Sequence, residues 1–147
     1  FVFSQVKLMQ VENEIRLTAS NVKDLKVFSY LCQDAILSKD EFFFDDDKQI
    51  FIATLSRYCW EKEEINNNSV SYRVISGLQI KNVESISYNS LNSDISFLNL
   101  LAISYKNKKI TLHFSMSIEI ILNCKKIDAL LEDIDLPWPT KLKPKHQ

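Results

Sequence analysis

The sequence predicts an α+β fold of about seven mostly antiparallel strands, with one helix before them and one after. Three observations carry this expectation. Apolar residues recur at helical spacing near both ends of the chain, over Val22, Leu25, Phe28, Leu31, Cys32, Ala35 and Ile36, and again over Cys124, Ile127, Leu130, Leu131 and Ile134. Between these stretches the period switches to two, as in Tyr72, Val74, Ser76, Leu78 and Ile80. The connections between strand-like stretches are short, and parallel pairing needs long crossovers, so the strands must pair antiparallel with near neighbours.

Residues 1–14 are expected to be an extended N-terminal segment, leading into a short extended stretch around Ile15 to Thr18. Asn21 is placed to cap a helix over about residues 21–37, with Asp24 three positions on in a capping-box-like arrangement. Phe42, Phe43 and Phe44 read as a strand, Asp45-Asp46-Asp47-Lys48 as a polar turn, and Gln49 to Trp60 as a longer strand. Glu61 to Ser69, with Asn66-Asn67-Asn68, reads as a loop to the alternating strand that follows. Further strands are expected at Val83–Tyr88, Phe97–Tyr105, Lys109–Ser115 and Ile118–Leu122, with a tight turn at Lys106-Asn107-Lys108. The last periodic segment, with Asn123 as cap and Pro137-Trp138-Pro139 as stop, is expected to be a helix, and residues 137–147 a Pro/Lys-rich tail. A meander of this kind must protect its edges, and a C-terminal capping helix can plug its open end. That outline resembles a pleckstrin-homology-like barrel or curved sheet, and the whole of residues 1–147 is read as a single domain.

Composition narrows the function classes. The chain has one glycine, Gly77, which excludes the glycine-rich cradles of P-loop and dinucleotide-binding sites. A net charge of −1 gives no electrostatic reason to expect nucleic acid or an anionic membrane as partner. Cys32, Cys59 and Cys124 are widely spaced with no metal-ligand pattern, and read as buried free thiols. The acidic triplet lacks the glycine and distal glutamate of a calcium loop, so no metal and no cofactor is expected. With no charged leader and no long apolar run, the expected location is the cytoplasm. Lysine outnumbers arginine 15 to 3, a bias of AT-rich codons that makes Arg16, Arg57 and Arg73 stand out.

Several separated blocks are similar to one family: Leu31-Cys32-Gln33-Asp34-Ala35, Ser56-Arg57-Tyr58-Cys59-Trp60-Glu61, Leu100-Leu101-Ala102-Ile103, Ile127 to Asp133, Pro137-Trp138-Pro139-Thr140 and Pro144-Lys145-His146. In this order, from about Ile15 to His146, they resemble the alphaproteobacterial domain of unknown function 2948, in an AT-rich, rickettsia-like form. The family usually carries a glycine-rich stretch before its final strand, where this chain has Ser115-Met116-Ser117. The resemblance implies no activity.

If the strands on either side of residues 61–69 pair so that residue numbers sum to about 130, Arg57 faces Arg73. Two guanidinium forks on one face suit a carboxylate or phosphate, either an internal one from Glu61, Glu63 or Glu84, or one on a ligand. Trp60 and Trp138 are recognition or packing residues, and Asp34 on the helix edge is a carboxylate with a cap, turn, salt-bridge or catalytic role. His113 reads as a structural or surface strand residue, and no nucleophile elbow is present. Lys141, Lys143, Lys145 and His146 form a small basic tail without interleaved aromatics. The leading reading is a non-enzymatic module that binds a protein or peptide through a strand edge or the groove beside the C-terminal helix. The alternative is a small anionic ligand held by Arg57 and Arg73, and the third a hydrolase using Asp34 or Glu61 with a distant histidine.

Overall fold

Antiparallel hydrogen bonding organises most of the chain in the computed structural model, which describes residues 15–65, 70–140 and 144. The elements are β1 (Arg16–Ala19), α1 (Val22–Leu31), β2 (Ile36–Ser38), β3 (Phe42–Asp45), β4 (Ile50–Tyr58), α2 (Trp60–Ile65), β5 (Ser71–Ile80), β6 (Ser85–Asn89), β7 (Phe97–Lys106), β8 (Lys109–Phe114), β9 (Glu119–Asn123), β10 (Ala129–Asp133) and β11 (Trp138–Thr140). A 3-10 turn at Ser115–Ser117 joins β8 to β9. The expected extended segment at 1–14, the asparagine run at 66–68 and the lysines of the tail lie outside the described residues.

The strand order is β1-β10-β5-β4-β2-β7-β8-β9-β6, an open path. β3 lies beside the first half of β4, where β2 later takes over the same edge, and β11 lies beside the start of β5, where β10 takes over. This corrects the α+β expectation. The seven expected strands correspond to β3 through β9, but β1, β2, β10 and β11 bring the described total to eleven, against two short helices. The pleckstrin-homology-like barrel is not formed either, because β2 sits between β4 and β7 and the path ends at β1 and β6.

The largest correction is the C-terminal helix, which is replaced by the strand β10. Ala129, Leu131 and Asp133 point inward while Ile134 is 59% exposed, so the apparent helical stripe mixes two faces. The inward alternation is hidden in the sequence because one of its members is a carboxylate whose partner, Arg57, lies 76 positions away. Asn123, expected as a cap, ends β9.

α1 begins where expected, with Asn21 Oδ1 accepting from the Asp24 N–H at 2.8 Å and the Asp24 carboxylate accepting from the Ser20 N–H. It stops at Leu31 and not near 37, because Asp34 takes a left-handed conformation (φ 64) and the backbone of Asp34 and Ala35 bonds to Leu100 on β7. Leu25, Phe28 and Leu31 of α1 join the apolar cluster made by the inner faces of the strands. The polar turn at Asp45 holds as read, with the Lys48 N–H donating to Asp45 Oδ1. The three cysteines are free and buried. Met116 and Ser117 in the 3-10 turn are left-handed (φ 64 and 59), the conformation that a glycine-rich stretch adopts without strain. Among the described residues no helix is long and apolar enough to cross a membrane.

Candidate functional site

The register of β4 and β5 decides how the two arginines are used. Tyr58 pairs with Arg73 and Arg57 with Val74, so residue numbers sum to 131 and Arg57 and Arg73 stand on opposite faces of the sheet. The one-residue difference separates the pair that the sequence reading placed together.

Arg57 follows Phe51, Ala53 and Leu55 on the inner face and is fully buried. Its guanidinium donates to both oxygens of Glu61 at 2.8 and 2.9 Å and to both oxygens of Asp133 at 3.2 Å. Its Nε donates to Ser76 Oγ, whose hydroxyl donates to Asp133 Oδ1 at 2.7 Å, while the Ile15 N–H donates to Asp133 Oδ2. Burial works against the arginine's charge, but the hydrogen bond and charge of Glu61, with Asp133, more than offset it and hold its pKa above the usual arginine value. This closed network ties β4, β5, β10 and α2 together and leaves the guanidinium no room for a ligand. Of the carboxylates considered for this role, Glu61 fills it, Glu84 lies 3.7 Å from Lys125 instead, and the side chain of Glu63 lies outside the described residues.

Arg73 is placed differently. It is half-buried on the opposite face, with its guanidinium 6.0 Å from the Tyr58 ring centre. Nη1 donates to the Ser56 carbonyl at 2.9 Å and Nη2 to the Asp34 carbonyl at 3.4 Å. Burial lowers its pKa, and the nearby Asp34 charge works against that drop. Among the described residues it has no ion pair with a carboxylate, so its fork of five N–H donors keeps capacity for another acceptor. It lines an open groove of about 650 Å³ together with Asp34, Ile36, Phe97, Asn99 and Pro144. Ile36 is 40% and Phe97 69% exposed there. Asn99 Nδ2 donates to Asp34 Oδ1 at 3.3 Å, which fixes one carboxylate oxygen at the groove wall.

Five of the six residues singled out from sequence therefore fall into two groups, and Trp60 stands apart from both. Arg57 and Glu61 close the interior network, whereas Arg73 and Asp34 line the groove and Trp138, 38% exposed, sits opposite Arg73 in the β11–β5 register. Trp60 is buried, packs edge-on against Tyr58 at 4.6 Å and donates Nε1–H to the Gln33 carbonyl, which anchors α2 beneath the Asp34 turn. Sequence reasoning missed Asp133, Ser76, Phe97, Ile36 and Asn99. Asp133 was detectable only as a charge interrupting an alternating run, and Phe97 only as the aromatic that opens an apolar strand.

Fold and groove define a mostly antiparallel β domain with an apolar cleft anchored by one arginine. The chain belongs to the family described as Protein of unknown function (DUF2948), whose pattern it matches over residues 15–146. No curated protein and no solved structure matches it.

Proposed function

We propose that this domain is a binding module whose Arg73 groove takes a protein segment presenting a carboxylate beside an apolar side chain. The observation that carries the reading is the half-buried guanidinium of Arg73, bonded only to backbone carbonyls among the described residues and set beside the exposed Ile36 and Phe97. A charge-assisted bond from a partner carboxylate would use the remaining donors, and an apolar neighbour would cover Phe97. The Asp34 carboxylate at the same wall disfavours a polyanion such as a phosphorylated headgroup and suits a single negative charge.

The test is an amide NMR titration with a blocked phenylalanine–glutamate dipeptide and its phenylalanine–glutamine counterpart. The glutamate peptide should shift the amides of Asp34, Ile36, Phe97 and Asn99, and the shifts should vanish in Arg73→Gln. Equal shifts with the glutamine peptide, or shifts that persist in Arg73→Gln, would contradict the reading.

A further inference from the structure

On the sheet face away from the core, four adjacent strands each contribute one polar side chain to a continuous row. Asn89 Nδ2 on β6 donates to Glu119 Oε1 on β9 at 2.8 Å, and Glu119 Oε2 lies 3.3 Å from His113 Nδ1 on β8. His113 Nε2 lies 2.7 Å from Ser104 Oγ on β7. Register explains most of the row, since Asn89 and His113 both pair with Glu119. Ser104 reaches it because β7 holds an extra residue: Leu100 pairs with Phe114 but Ala102 with His113. Leu98 and Leu100 point inward before this bulge and Ile103 after it, so without the bulge Ser104 would face the core.

The Glu119 carboxylate beside Nδ1 favours the imidazole tautomer with its proton on Nδ1, which leaves the Nε2 lone pair to accept the Ser104 hydroxyl proton. Beside the row lies a cavity of about 460 Å³ lined by Leu101, His113, Phe114, Met116, Ile118 and Glu119. We propose that Ser104 is a nucleophile toward small acyl esters, with His113 as its general base and Glu119 as a positioning residue, the apolar acyl chain lying against Leu101 and Met116. Ser104 Oγ attacks the ester carbonyl carbon as its proton passes to Nε2. The tetrahedral adduct then collapses, the bond to the alcohol oxygen breaks, and His113 protonates the departing alcohol. Water attacks the acyl-serine with His113 again taking a proton, and the carboxylic acid leaves as Ser104 is restored. Alternate β7 N–H groups face β8 in the antiparallel ladder, and the Ile103 N–H beside Ser104 donates to Ser29 Oγ at 2.9 Å, so the oxyanion is left chiefly to solvent. A missing oxyanion donor costs roughly 10²–10³ in rate, which restricts the substrates to esters with good leaving groups.

The test uses a fluorophosphonate probe and p-nitrophenyl butyrate on the full chain, with modified residues located by mass spectrometry. Ser104 should be labelled faster than the exposed Ser87 and Ser93. His113→Gln should slow labelling and hydrolysis by about 10²-fold, and Ser104→Ala should abolish both, with thermal midpoints unchanged. Glu119→Gln should slow labelling and turn the imidazole nitrogen NMR shifts from a single Nδ1–H tautomer to a mixture, and Glu119→Asp should recover part of each. Labelling spread evenly over exposed serines, or a rate unchanged in His113→Gln, would overturn the proposal. Arg73→Gln should leave Ser104 labelling intact, so this site and the groove fail independently.

Discussion

At the scale of single residues, burial separates groups that hold the fold from groups that remain available. Arg57 stays charged inside the sheet because Glu61 and Asp133 surround it, and removing it strands two carboxylates. Arg57→Met should therefore lower the unfolding free energy by about 3–5 kcal/mol in urea titrations. Arg57→Lys should recover only part of that loss, since an ammonium cannot bond both oxygens of each partner in the fork geometry. The thiols follow the same logic with opposite chemistry. Burial pushes Cys32 and Cys59 up to about 12 and Cys124 up to about 11. Native protein should leave all three unreactive toward a chromogenic disulfide reagent until denaturant is added. The unfolded thiols lose their protons near 9.0 while the folded ones keep theirs, so stability should fall as pH rises from about 9 towards about 12.

At the scale of elements, local chemistry predicts starts and turns better than it predicts which long-range partner a segment finds. The Asn21 cap was legible because its partner, Asp24, is three residues away, and Asn21→Ala should cost about 1 kcal/mol by chemical denaturation. The end of α1 was not legible, since it is set by bonds from Asp34 and Ala35 to Leu100 on β7. β10 is illegible as a strand for the same reason: its inward Asp133 has meaning only beside Arg57. In the 3-10 turn, Met116 and Ser117 hold left-handed backbones that side chains tolerate poorly. Met116→Gly should raise stability by about 0.5–1 kcal/mol, the relief of strain exceeding the extra freedom gained by the unfolded chain. A lowered thermal midpoint would mean that the Met116 side chain contributes packing that outweighs its strain.

At the scale of the whole molecule, β4 and β5 form the spine to which two sets of short strands attach, and their register fixes both the interior network and the groove. The strands from β3 to β9 were legible from short apolar, β-prone runs set between polar turn residues, with strict period-two alternation in β5. The order β4-β2-β7 was not, since β2 is only three residues long and its pairing is visible only in space. The candidate site was legible in its parts, with Arg73, Asp34 and Trp138 all singled out, but a register sum of 131 in place of 130 moved Arg57 to the other face. That separation makes opposite demands on the two arginines, and equilibrium unfolding of Arg57→Met and Arg73→Met side by side tests it most directly. Arg57→Met should lose about 3–5 kcal/mol and Arg73→Met no more than about 1–2 kcal/mol, the worth of its bonds to two backbone carbonyls. Equal losses would show that Arg73 is as structural as Arg57, and would contradict the assignment of the groove as the site that meets a partner.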